Sequence, residues 1–447
     1  MSFIPQVVLA SSLIALLSPS QVAGQQRLSL ATAVRQAVAT SPRQAAAAAA
    51  LSRVSSGRRE AQAQWWPRLS AEGAMVQYQE PMIVRPFHSF DLGTLPDFDR
   101  TLMQGQLVLG YLLFDGGARR GRVAEAEALE DAALARADGT EQAVVAGTVR
   151  AYLGALHALT VSRAQADRVR ALGAEADRVS QFLEQGRAAP VDLLRANAAL
   201  ASARADSVAA AGQLHLAEAD LARLTALPRE SVRTPLLNPV TLRAHGPVDR
   251  DSALAAALSA SPQLREAAAR SEAAGALRQG ASALWLPTVQ LEGRTVAYGA
   301  AEARFTGEWQ AGVRVSYPIF TGGGRSAGVA RAQATEREAE AQQADVALTI
   351  TEQVDRLLVR IAESVHRLAA LRVARYQLAE VVRTEALSLR EGAGVQSDYL
   401  RAEAELARVR AEVSEAESLE AMAHVELAQI MGRLTPESLH TIVDGGR

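Results

Sequence analysis

Side chains capable of chemistry are few in this sequence, and they do not gather. The seven histidines (positions 88, 157, 215, 245, 366, 424 and 440) show none of the spacings that let imidazoles share a metal ion, and there is no cysteine to join them or to form a disulfide. The Gly322-Gly323-Gly324 cluster lacks the Lys-Ser/Thr of a phosphate-cradling loop, and no strand–GxGxxG–helix fingerprint occurs. No nucleophile–base arrangement follows from the order of Ser, His and Asp. No catalytic residue, cofactor or metal is expected. What does recur is a glycine-bearing turn closed by aspartate, GRAAPVD at 186–192 and GAGVQSD at 392–398. A carboxylate in the first turn of a helix stabilises it by about 0.3–1 kcal/mol. That accounts for Asp192 and is one account of Asp398.

Stepping from these turns to the segments that hold them reveals a second recurrent pair. YPIFTGGGR at 317–325 ends an alternating, half-apolar run and begins a long Ala/Arg/Glu-rich one, and LLFDGGARR at 112–120 is a weaker copy. Phe114 answers Phe320, and Gly116-Gly117 answers Gly322-Gly323. Both read as strand-to-helix switches in which glycine turns the chain without a clashing Cβ. Upstream, Ser41-Pro42 and Pro67 match Ser261-Pro262 and Pro287 at an offset of 220, whereas from Phe114 onward the offset is 206. The chain is therefore an internal duplication whose first hairpin is 14 residues longer, an excess most simply placed in its loop.

Each repeat has the same plan. Leu28 to Gln64 reads as a helix interrupted at Thr40-Ser41-Pro42, and Arg250 to Leu284 as its counterpart. Strands follow over Arg68–Gln79 and Thr101–Phe114, with 81–100 as a proline-bearing loop between them. Leu69, Ala71 and Met75 oppose Ser70 and Glu72, and Leu107, Leu109, Tyr111 and Leu113 oppose Gln104 and Gln106. The second hairpin alternates likewise, most clearly in Trp309, Ala311, Val313, Val315, Tyr317 and Ile319 against Glu308, Gln310, Arg314 and Ser316. Strands longer than the roughly 9–11 residues needed to span a bilayer, greasy on one face and polar on the other, suit a membrane barrel. An amphipathic hairpin on a soluble core is the competing reading. Trp66, Trp285 and Trp309 fit an interfacial girdle, or, for Trp285, packing at the junction.

The long helices follow. Gly116 to Gly186 and Gly322 to Gly392 each span 70 residues without proline, roughly 105 Å of α-helix. Val145, Val149, Tyr152, Leu156 and Leu159 step 4-3-4-3, as do Val354, Leu358, Ile361, Val365 and Leu368, which is coiled-coil spacing. The return helices carry a heptad seam rich in small residues: Leu193, Leu200, Ser207, Leu214 and Leu221 with Ala196, Ala203, Ala210, Ala217 and Leu224 in one, and Tyr399, Leu406, Val413, Glu420 and Leu427 with Ala402, Val409, Ala416, Ala423 and Ile430 in the other.

Of the 447 residues, 49% are apolar but only 4% aromatic, which suits closely packed helices better than a large compact core. A net charge of −2 with intermixed signs leaves no nucleic-acid footprint. Val7 to Leu17 followed by Val22-Ala23-Gly24 reads as a secretory signal peptide over 1–24, although no Arg precedes it. No later run of about 18 apolar residues is seen, which argues against a spanning helix and makes a β-barrel the expected membrane form. The expected divisions are a first repeat at 25–227 (hairpin 67–114, long helix 116–185, return helix 192–227) and a mid-height equatorial segment at 228–248. A second repeat at 249–433 (hairpin 287–320, long helix 322–391, return helix 398–433) and a tail at 434–447 complete the chain.

Four strands cannot close a barrel, and an open edge in lipid is forbidden. Copies of the chain must complete it: three would give twelve strands, two would give eight with a filled interior. At this point the duplicated Pro67 and Pro287 entries, the two glycine exits and the two tips at 186–192 and 392–398 resemble the TolC family of outer-membrane efflux proteins, over nearly the whole mature chain. The resemblance implies a mainly helical fold, with a trimeric 12-stranded barrel in outer-membrane lipid continuous with a periplasmic α-barrel tunnel. It also implies passive export in concert with a periplasmic adaptor (membrane fusion protein) and an inner-membrane transporter. By the same resemblance Gly186, Arg187, Gly392, Ala393 and Gly394 face the adaptor, and Asp398 lines an acidic ring at the pore entrance. The chain departs from the family where Arg401 replaces a second aspartate and Gly394 a basic residue. Arg401 would pair with Asp398 at i,i+3 or cancel the ring's charge. The other class of function considered is a periplasmic coiled-coil scaffold or adaptor with soluble hairpins.

Overall fold

Serine-proline steps shape each helical approach to the sheet. In the computed structural model, which describes residues 27–84, 93, 97–233, 237–242, 248–301 and 305–444, the Ser29 hydroxyl caps α1 (Leu30–Thr40) by accepting from the Thr32 N–H. Ser41 caps α2 (Pro42–Ala63), with proline in the first turn, where its missing N–H costs nothing. The second repeat does the same with α5 (Arg250–Ala260), capped by Asp249, and α6 (Pro262–Ser282). The counterpart helix expected to run from Arg250 to Leu284 is thus broken at Ser261, as its match to Ser41 implies. The leader expected over 1–24 and most of the first hairpin's loop lie outside the described residues.

Four long strands follow: β1 (Arg68–Ile83), β2 (Phe98–Phe114), β4 (Thr288–Ala300) and β5 (Thr306–Ser316). They form one antiparallel sheet in the order β1-β2-β4-β5. Three boundaries differ from the sequence reading. β1 continues through Pro81 and β2 starts at Phe98, so the segment read as loop is partly strand. The missing N–H of Pro81 is tolerated because it falls in the register shift between Gln77 and Met82, where the ladder to β2 is interrupted. β5 stops at Ser316, short of Tyr317 and Ile319. The first hairpin's extra length is consequently shared between strands and connection and is not confined to the loop.

The register carries the alternation across all four strands. Leu69 faces Leu109, which faces Gly293, which faces Ala311; one step along, Ala71, Leu107, Thr295 and Trp309 are aligned. The opposite face carries Glu72, Gln106, Arg294, Glu292 and Arg314. It is cross-linked by Gln106 donating to Glu72 at 2.5 Å and by Arg314 against Glu292 at 2.6 Å.

Two rods leave the sheet: α3 (Ala118–Glu184) and α7 (Gly324–Arg390), 67 residues each or roughly 100 Å. Each returns as a half-length helix, α4 (Pro190–Thr225) and α8 (Gln396–Ile430). The heptad seams are buried at Ala196, Leu200, Ala203, Ala210 and Leu221 in α4 and at Ala402, Leu406, Val409, Val413, Ala416, Ala423 and Leu427 in α8. They are only half-buried at Leu193, Ser207, Leu214, Ala217 and Leu224 and at Tyr399, Glu420 and Ile430. By composition α3 does contain an 18-residue window apolar enough to cross a membrane, contrary to the sequence reading, and half of that window is buried against neighbouring elements.

The main core sits at the midpoint of α3. Val145, Val149 and Tyr152 meet Leu30 and Val34 of α1, Leu221 of α4 and Val425 of α8. The segment after α4 folds onto this point through Val232 and Leu237, and the chain end joins it through Leu434 and Leu439. Two short strands, β3 (Thr241–Leu242) and β6 (Val443–Asp444), pair there. The Tyr152 hydroxyl reaches the Leu28 carbonyl at 2.7 Å and that of Asn238 at 2.9 Å, tying three distant segments together. Burial pushes its pKa well above the phenol range.

Candidate functional site

The far ends of the rods are formed by matching glycine turns. Gly186 and Gly392 adopt φ of +70° and +74°, where a side chain would be strained. They let the N–H groups of Arg187 and Ala393 return to the carbonyls of Phe182 and Ser388 at 2.7 and 2.9 Å. Gly394 has ordinary φ, but a Cβ there would lie 2.9 Å from the Leu389 nitrogen. Arg187 stacks on Phe182, 4.7 Å from the ring centre. Asp192 lies in the first turn of α4, where its carboxylate accepts from the Ala189 N–H at 3.4 Å, with Arg195 at 3.6 Å. Alanine has no side-chain acceptor, so the cap is one-sided. Asp398 is in the equivalent turn of α8, half-exposed, with Arg401 at 3.9 Å. The sequence-predicted entrance residues are thus on the surface of the two tips, with Asp398 and Arg401 brought together.

A network that the sequence reading missed lies between the tips. Glu175, only 7% exposed, accepts two bonds from Arg178, both at 2.9 Å, and the third Arg178 nitrogen donates to the Leu389 carbonyl at the end of α7 at 3.0 Å. One side chain therefore joins the two helical hairpins. Tyr399, half-buried beside it, has its hydroxyl 3.5 Å from Glu403. Burial first, and then the nearby carboxylates of Glu403 and Glu175, push Tyr399 up to about 12. Burial also raises Glu403. A signal was available: 206 residues on from Glu175 and Arg178 stand Val381 and Thr384, so the duplication is broken at this pair. Higher up, His157 lies 3.2 Å from Ser414 and is pushed down by burial, against the pull of Glu415.

At the opposite ends, Gly116, Gly117, Gly322 and Gly323 all have positive φ, from +58° to +95°. A Cβ on Gly116 would sit 2.8 Å from that of Leu286, so close approach as well as backbone conformation requires glycine here. Phe114 and Phe320 are exposed beside them. Two arginines missed in the sequence pack inside the junctions, Arg119 4.4 Å over Trp65 and Arg325 4.7 Å over Trp285. Trp285 thus packs at its junction, while Trp66 and Trp309 are largely exposed. No cluster of three or more metal-ligating side chains occurs among the described residues.

A two-repeat chain with a barrel-type sheet on paired helical rods defines a membrane channel built from long coiled coils. The model of the outer membrane efflux protein family matches residues 33–227 and 253–433. The chain belongs to that family and is an outer-membrane protein. The fold is shared with solved structures at low identity. VceC of Vibrio cholerae superposes with a TM-score of 0.77 at 18% identity, over 90% of this chain and 95% of that one. CmeC of Campylobacter jejuni gives 0.80 at 14%, over 91% and 86%, and MtrE of Neisseria gonorrhoeae gives 0.73 at 18%, over 92% of each. No curated protein matches the sequence significantly.

Proposed function

We propose that three copies of the chain assemble into the exit duct of a tripartite efflux or type I secretion system. The observation that carries this is the sheet: one mainly apolar face runs across four strands, and its outer strands β1 and β5 run antiparallel to each other. β5 of one copy therefore meets β1 of the next in the sense that continues the ladder, and three copies close twelve strands without an edge. Apolar residues on the outer face of α7, among them Leu348, Val359 and Tyr376, become subunit contacts. The rods then enclose a periplasmic tunnel, belted at mid-height by residues 228–248 and the chain end. Transport through it is passive, with energy supplied by an inner-membrane transporter through a periplasmic adaptor that grips Gly186, Arg187, Gly392, Ala393 and Gly394. Asp398 lines the entrance, its charge partly offset by Arg401.

Fractionation tests the reading. A heat-modifiable oligomer in the outer membrane is expected, and a soluble periplasmic monomer would end it in favour of the scaffold. In planar bilayers, Asp398→Ala is expected to change conductance or block by divalent cations more than Asp192→Ala. Equal, negligible effects would remove Asp398 from the entrance.

A further inference from the structure

The two strand–helix junctions differ in two charges, one carboxylate and one guanidinium. In the first, the Asp115 carboxylate, itself 7% exposed, accepts from the N–H groups of Gly117 at 3.2 Å and Arg119 at 2.7 Å. The guanidinium nitrogens of Arg119 and Arg122 lie 3.3 and 3.7 Å from the same oxygen. An anion thus sits on the start of a 67-residue helix, where backbone donors and the helix dipole favour negative charge. In the second junction every donor recurs except the second guanidinium. Gly323 and Arg325 open α7, and Arg325 stacks on Trp285 and donates to Ile319 O at 3.1 Å, as Arg119 stacks on Trp65 and donates to Leu113 O at 3.3 Å. The acceptor does not recur. Thr321 stands where Asp115 stands, and Gly328 where Arg122 stands. Arg325 is 8% exposed, and its Nε and Nη1 find no hydrogen-bond partner among the described residues, as is true of the same atoms in Arg119. What sets Arg119 apart is the carboxylate of Asp115 at ion-pair distance, for which Arg325 shows no counterpart among the described residues.

We propose that the first turn of α7 is a binding site for a phosphate-type oxyanion, held by the Gly323 and Arg325 N–H groups and the Arg325 guanidinium in the place that Asp115 occupies in the first repeat. A buried guanidinium without a counter-charge is costly, and an oxyanion supplies the missing charge. Thr321 and Gly322 to Gly324 are exposed, which leaves the site open from outside. Its height, one turn from the end of β5, puts it level with the inner lipid headgroups if the barrel spans as proposed. A phospholipid phosphodiester and free phosphate share this chemistry.

The test uses the full chain in maltoside micelles, titrated separately with inorganic phosphate, with phosphatidylglycerol and with diacylglycerol as the phosphate-free lipid, while following thermal dissociation of the oligomer. Wild type is expected to show a saturable rise with phosphatidylglycerol or phosphate and none with diacylglycerol. A response to phosphatidylglycerol alone identifies a headgroup as the source, and a response to both identifies a free anion as sufficient. Thr321→Asp is expected to raise the starting temperature and to lose the response, whereas Asp115→Thr should gain a second, steeper one. A wild type indifferent to both phosphates, as when a neighbouring subunit's carboxylate fills the place, would overturn the proposal. So would a Thr321→Asp variant that responds like wild type. Neither result bears on the fractionation outcome, so this site and the duct fail separately.

Discussion

Arg178 joins the two helical hairpins near their tips, and removing it isolates a buried charge. In Arg178→Ala the Glu175 carboxylate, 7% exposed, loses two charge-assisted bonds. The Leu389 carbonyl keeps the Gly392 N–H at 3.2 Å, so its loss is minor. Breaking a fully buried pair costs about 3–5 kcal/mol. The Arg178 side chain is 23% exposed, so water screens part of this and about 2–3 kcal/mol is the reasonable figure. Large membrane proteins commonly unfold irreversibly, so local opening is the right observable. Amide exchange over 172–182 and 386–394 should accelerate roughly 30- to 150-fold by that figure, with the mid-height core unchanged. Glu175→Ala/Arg178→Ala should recover about 1–2 kcal/mol of the loss, because no lone charge remains. Equal exchange in the single and double variants would refute the buried-charge account, and unchanged exchange in Arg178→Ala would refute the coupling of the hairpins.

Tyr152→Phe deletes the hydroxyl that reaches two carbonyls in a fully buried position, and about 1–3 kcal/mol of local stability should be lost. Limited proteolysis should then release the segment around Asn238 before the rods are cut. Glu403 has a folded pKa raised by burial, so its favourable contribution is complete below the ordinary carboxylate value of 4.5 and is lost as pH rises through the folded value. Glu403→Gln should therefore raise the melting temperature at pH 7, with the advantage vanishing toward pH 4. His157 is displaced downward, so the fold is fully stable above 6.5 and weakens as pH falls from there toward the folded value. His157→Gln should flatten the pH dependence of local opening around His157 and Ser414 between pH 5 and 7, as read by hydrogen exchange.

The duplication, the rods, the glycine turns and the alternation of the strands were legible because each is a local pattern. Period 2 and period 3.5 are written in the chain, and glycine marks the positive φ that other residues avoid. The strand limits at Ile83 and Phe98 were not, because proline ends a regular strand, and only the pairing of β1 with β2 reveals the register shift that accommodates Pro81. Asp398 with Arg401 could be foreseen from i,i+3 spacing. The contact of Arg178 with Leu389 spans 211 residues and exists only because two hairpins pack together at their ends. The same holds for Arg119 and Arg325, which look like any other arginine in a helix until tryptophans from the turns after α2 and α6 close over them. The sequence by itself determined the periodic elements and their repetition. Which charges were buried, and with what partners, was decided by tertiary packing, since burial depends on what a neighbouring segment covers and not on the residue's own place in the chain.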